Sequence, residues 1–168
     1  MAETFSVHLV HPNNDALVSS LNTDLNLRDY MKVTFPKSKD DVEILWISKK
    51  IEIHITDLEE AHLTVPKPAS REELEYARKY YNLEISPEPV PAISISFTMS
   101  GGKKWAEFTT RNVKRRAAII LDGIPLMAPI IQDPIADGKV EIHGNFSKEE
   151  IQSIVDRINA LIFESRSM

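Results

Sequence analysis

Residues 117–145 read AAIILDGIPLMAPIIQDPIADGKVEIHGN, and this stretch decides the fold. An apolar run, then Asp122-Gly123, then a second apolar run is the strongest short-range signal for a β-hairpin. A second reversal is predicted at Ala136-Asp137-Gly138, so the stretch reads as three short strands. Pro129 and Pro134 limit how far the sheet continues, because proline cannot donate to a ladder. Gly144-Asn145 closes the third strand. Ser147-Lys148-Glu149-Glu150 then opens a helix with a capping box, in which serine and glutamate each satisfy a first-turn backbone N–H.

Outward from this stretch, hydrophobic spacing predicts the remaining elements. Phe5–Val10, Val42–Ser48, Lys50–Ile55, Ala61–Pro66 and Ala92–Met99 read as strands. Pro12-Asn13-Asn14-Asp15 reads as a turn, Thr56–Glu59 as one helical turn, and Leu17–Lys39 gives no regular pattern. Ser70–Tyr81 reads as a helix with its own capping box from Ser70 to Glu73, ended by Asn82 and Pro87-Glu88-Pro89. Gly102–Arg115 reads as a helix. Ser147–Glu164 carries Ile151, Ile154, Val155, Ile158, Leu161 and Ile162 on one face at a 3.6-residue period. Clustered strands with helices between them predict an α+β domain: a mostly antiparallel sheet with helices packed on one face.

Composition bounds the function. The chain has 168 residues and is expected to form one domain, 1–168, with a self-sufficient core. Its net charge of −5 argues against nucleic acid, whose phosphates demand a basic face. There is no cysteine, which excludes disulfides, thiolate catalysis and Cys-ligated metals. The longest run free of polar side chains is Ile124–Ile131, which contains two prolines, whereas a membrane span needs about 20 apolar residues. MAETFSVHLVHPNND has neither a basic start nor an apolar core, so no signal peptide is expected in the chain as written. The expectation is a periplasmic or cell-envelope protein if a signal was removed; the alternative is a cytoplasmic one as written.

The stretch 121–150 resembles the large first periplasmic domain of SecD, the membrane subunit that assists protein export with SecF. The residues that carry the likeness are Ala118, Ile119, Leu121, Asp122, Gly123, Ala128, Pro129, Ile131, Pro134, Ile135, Gly138, Ile142, Gly144, Asn145, Phe146, Ser147, Glu149 and Glu150. Gly102–Thr109 is similar to the family's helix before the hairpin, Phe5–Val10 to its opening strand, and Ile55–Ala61 to a third family segment. Two departures stand out. Lys114 occupies the place of a helix-stopping glycine, and residues 66–91 read as an insertion with its own helix. The resemblance implies a head domain that contacts polypeptide or another envelope protein. With no spanning segment in the sequence, it carries no proton-coupled transport.

Candidate chemistry is sparse. His8 and His11 have metal-pair spacing, but on a strand they point to opposite faces and read as surface residues. His54, His62 and His143 are isolated. Ser100-Gly101-Gly102-Lys103 lacks the full P-loop pattern and reads as a tight helix-entry turn. Glu72-Glu73 and Glu149-Glu150 sit in first helical turns, where they complement the dipole. Trp46 and Trp105 read as core. No cofactor, metal or catalytic set is predicted, and the protein is expected not to be an enzyme.

Two binding surfaces are predicted. The hairpin residues Ile124, Leu126 and Met127 form a candidate surface for unfolded polypeptide, accepted along a sheet edge or hydrophobic groove. Tyr76 and Tyr80 share a helix face and suggest a patch for one tight folded partner, as in an inhibitor or immunity protein. The alternative for the tyrosines is packing against Pro87, Pro89 and Pro91.

Overall fold

A computed structural model describes residues 5–19, 27–65, 67–84 and 90–167. The decisive hairpin is present. Strands β7 (Ala117–Leu121) and β8 (Ile124–Met127) pair antiparallel, with Leu121 opposite Ile124. Asp122 and Gly123 take φ of 49° and 82°, the two positive values that a tight type I′ hairpin turn requires. Pro125 removes a ladder donor, and the register slips beside it. Ile120 faces Pro125 and Ile119 faces Met127, which leaves Leu126 as the extra, bulged residue.

β7 is buried along its whole length because it is covered on both faces. β1 (Phe5–Leu9) lies beside it, and β4 (Ile53–His54) completes a four-stranded sheet in the order β4-β1-β7-β8. Ala117, Ile119 and Leu121 enter the larger core with Phe5 and Val7. The alternate residues Ala118 and Ile120 enter a second core with Val10, Leu45 and Ile47. That second core is closed by the ribbon of β2 (Tyr30–Pro36) and β3 (Val42–Ser48).

The third strand of the opening stretch departs from expectation. β9 (Lys139–Ile142) pairs with β6 (Ala92–Phe97), not with β8, in a second antiparallel sheet ordered β5-β6-β9. β5 spans Leu58–Thr64. Residues 128–138, which hold Pro129 and Pro134, form no strand, and the chain crosses there from one sheet to the other. Gly138 makes the reversal with φ 71°, and its carbonyl accepts from Phe97 N–H at 2.9 Å.

The helices follow the predicted periods. After a short helix α1 (Asn14–Ser19) come α2 (Arg71–Tyr81), α3 (Met99–Arg111) and α4 (Lys148–Arg166). α4 buries Ile151, Val155, Ile158, Leu161 and Ile162, and Ser147 Oγ accepts from Glu150 N–H to cap it. The Ser70–Glu73 capping box on α2 is complete, and Asn82 ends that helix in a left-handed conformation. Pro87 and Pro89, expected at the same boundary, lie outside the described residues.

Several local expectations are corrected. Gly101 and Gly102 lie inside α3, whose N-cap is Thr98, so they are not an entry turn. Gly101 is required by packing: a Cβ there would stand 2.1 Å from the Asp57 carbonyl oxygen. Lys114 adopts the left-handed φ of 69° without being glycine, but it lies past the end of α3 at Arg111 and bonds Ile131 O, so it is not the helix stop. His8 is buried, not on the surface, with Nδ1 2.7 Å from Ser48 O and Nε2 2.8 Å from Ser6 Oγ. The strand expected over Lys50–Ile55 shrinks to Ile53–His54 and runs into a 3₁₀ turn at Ile55–Asp57. Asn14 and Asp15, expected in a turn, open α1, and residues 17–19 and 30–36, which gave no pattern, complete α1 and form β2.

Candidate functional site

Because β9 leaves the hairpin for the second sheet, a cleft of about 500 Å³ opens between the two. Its floor is hydrocarbon: Trp105 from α3 with Ala117 and Ile119 from β7. One wall is Met127 and the proline-interrupted run through Ile130, Ile131 and Ile135. The opposite wall is β9 itself, Lys139 to Glu141. Gln132, Asp133 and Asp137 supply polar groups around it.

Trp105 is held in place by aromatic stacking, with Phe97 at 5.4 Å and Phe108 at 5.6 Å between ring centroids. It is 3 % exposed, and its Nε1–H has no hydrogen-bond partner among the described residues. Buried donors are seldom left unpaired, because the loss of hydration is not repaid. Thr109 fastens the wall to the helix. Its hydroxyl donates to Trp105 O at 2.9 Å and accepts from Ile135 N–H at 2.9 Å.

On the far side, Arg116 fixes the start of the hairpin. Its Nε donates to Ala128 O at 2.6 Å, and its guanidinium grips both carboxylate oxygens of Glu43 on β3. The Arg116 hydrogen bond, with help from Lys37, lowers the Glu43 pKa to about 2 against the opposing effect of burial.

β9 also supplies an open strand edge. Among the described residues it pairs with β6 alone. The Phe97–Gly138 bond sets the alternation, so Gly138, Val140 and Ile142 direct their amide groups at β6. Lys139 and Glu141 therefore direct theirs away from it. The Lys139 N–H is taken by Asp137 Oδ1 at 3.2 Å. Glu141 presents its backbone on the side where the cleft opens.

The structure separates the residues predicted to bind. Met127 lines the cleft. Leu126, the bulged residue, is 8 % exposed and belongs to the core. Ile124 stands exposed at the hairpin tip, beside Asp122, which Arg157 of α4 holds at 2.8 and 3.1 Å. Tyr76 and Tyr80 lie exposed on α2. Among the residues read as structural, Pro129 lines the cleft wall, and Gly144 makes room for the Phe146 ring, 2.5 Å from where a Cβ would stand. Asn145 is exposed just before α4. The sequence reading missed Trp105, Ile130, Ile135 and Val140 as cleft residues. Among the described residues, no group of three or more His, Asp or Glu side chains is placed to hold a metal.

A family model described as the SecDF P1 head subdomain matches residues 49–160. The chain belongs to this family. The match reaches well before Gly102, where the specific likeness in the sequence begins. SecD of Magnetococcus marinus is 44 % identical over 73 residues, which are 42 % of this chain and 14 % of that protein. SecDF of Thermus thermophilus is 40 % identical over 78 residues, 46 % of this chain and 10 % of that protein. The head domain thus spans only a small part of these export translocase subunits.

Two solved structures share the fold. One, of a membrane component SecDF that enhances protein export, has a TM-score of 0.52 at 23 % identity and covers 95 % of this chain and 61 % of its own. The other, SecDF in a super-membrane-facing form, gives 0.53 at 21 % and covers 95 % and 18 %. The α+β architecture with antiparallel sheets is that of the SecDF head. No helix of the described residues is long and apolar enough to cross a membrane.

Proposed function

We propose that this P1 head domain is a non-catalytic module that binds extended polypeptide during protein export. The observation that carries the reading is the open β9 edge beside an apolar cleft. An incoming strand would pair with the Glu141 N–H and C=O and with the Lys139 C=O, a recognition independent of sequence. Its alternate side chains would enter the cleft over Trp105, Ile119 and Met127. A hydrocarbon floor rewards any apolar residue, whereas catalysis needs polar groups converging on one reacting centre. The partners would be exported chains or an envelope protein, met outside the cytoplasmic membrane. Proton-coupled transport forms no part of this role.

The test is a fluorescence-anisotropy titration of labelled unfolded peptides. Ile130 is 53 % exposed on the cleft wall, so Ile130→Asp alters the cleft without entering the core. The variant should weaken binding by about tenfold or more, the effect of losing one well-placed apolar contact. Ile124→Asp, at the hairpin tip, should leave binding unchanged. Equal binding by the wild type and Ile130→Asp, or none by either, would reject the proposal. Leu126→Asp is unsuitable because it places a charge in the core.

A further inference from the structure

Among the described residues, α2 is a capped helix with little to rest on. Both ends are capped, yet Ala77 is its one buried residue. Tyr76, Tyr80 and Tyr81 are 56 %, 61 % and 63 % exposed. Their rings gather on one another, Tyr76 to Tyr80 at 4.7 Å and Tyr76 to Tyr81 at 6.0 Å between centroids. Lys79 Nζ lies 5.3 Å from the Tyr80 ring centre. A solvent-facing cluster of tilted and edge-on aromatic rings has the composition of an interface centre.

The charges on the same helix state which partner fits. The first turn carries Glu72 and Glu73, and the last carries Arg78 and Lys79. Tyr76 is the middle residue of Arg71–Tyr81, with five residues on either side. At 100° per residue, Glu72, Glu73, Tyr76, Lys79 and Tyr80 share the face centred on Tyr76. In an antiparallel pair related by a two-fold axis that passes between the two Tyr76 residues, Glu72 meets Lys79 of the second copy and Glu73 meets its Tyr80. Two copies of α2 laid antiparallel therefore set acid against base, and carboxylate against tyrosine hydroxyl, at both ends at once. Such self-complementarity is what an isologous interface requires.

We propose that the face of α2 centred on Tyr76 is a homodimerisation surface, occupied by the same helix of a second copy. The patch is small. An 11-residue helix is about 16 Å long, too short to bury the roughly 1,600 Å² of a standard interface. The dimer is accordingly weak, concentration-dependent and sensitive to salt. This assignment is independent of the cleft and of what binds there.

Sedimentation equilibrium over a concentration series tests it. The wild type should shift from monomer to dimer mass, with weaker association at high salt. Tyr76→Ala and Lys79→Glu should each weaken association by about tenfold or more. Both positions are exposed, so circular dichroism should be unchanged. Monomer mass at every concentration would overturn the proposal. So would a dimer unaffected by Lys79→Glu.

Discussion

The side-chain amide of Asn159, on α4, closes on the backbone of Ala61, on β5. Oδ1 accepts from Ala61 N–H at 2.9 Å, and Nδ2 donates to Ala61 C=O at 2.8 Å. Asparagine here takes the place of a neighbouring strand, satisfying the outward pair of β5 and blunting that edge. The β5-β6-β9 sheet thus has one edge sealed by a helix and one, β9, left open. Ala61 is 3 % exposed, so water cannot replace the lost partner. Asn159→Leu should destabilise the domain by about 1–3 kcal/mol, the penalty for stranding a buried donor and acceptor. Urea unfolding followed by circular dichroism measures it.

Two backbone positions should respond in opposite directions. Gly101→Ala drives a methyl group into the Asp57 carbonyl, 2.1 Å away, where Thr98 N–H also bonds at 2.9 Å. Relieving that clash means moving backbone, and a loss of about 1–3 kcal/mol or more is expected. Lys114 holds a left-handed φ of 69°, which costs an L-residue with a full side chain roughly 1 kcal/mol. Lys114→Gly should therefore raise stability by about 0.5–1 kcal/mol. Thermal melts of the two variants should bracket the wild type.

Acid should act through Glu43. Its folded pKa, near 2, lies below the unfolded value of 4.5, chiefly because Arg116 bonds the ionised form. Above 4.5 that contribution is complete, and it is lost as pH falls toward 2. The side chain is 20 % exposed, which trims the effect to on the order of 1–3 kcal/mol. In Glu43→Gln, the fall in unfolding free energy between about pH 5 and pH 2 should be shallower than in the wild type. Parallel curves would show that the pair contributes nothing to acid sensitivity.

Much of the fold was legible in the sequence because its signals are local. Asp122-Gly123 demands positive φ, Ser70 and Ser147 cap helices, and the apolar face of α4 repeats at its helical period. The cleft was not legible, because it depends on which sheet β9 joins. That choice is made by long-range pairing with β6, and periodicity carries no information about partners. The same limit hid Asn159 and Gly101, whose roles are contacts with Ala61 and Asp57 far away in sequence. Leu126, expected at the surface with Ile124 and Met127, is turned inward by the bulge beside Pro125, a shift of register that its neighbours in sequence do not announce.

Hydrogen exchange at the Glu141 amide tests the account most directly. This N–H points away from β6 along the open edge, so it should exchange freely in the unliganded domain. Saturating unfolded peptide should slow it, while the Val140 amide, already directed at β6, changes little. Binding that leaves Glu141 exchange untouched and protects amides elsewhere would contradict the edge-and-cleft account.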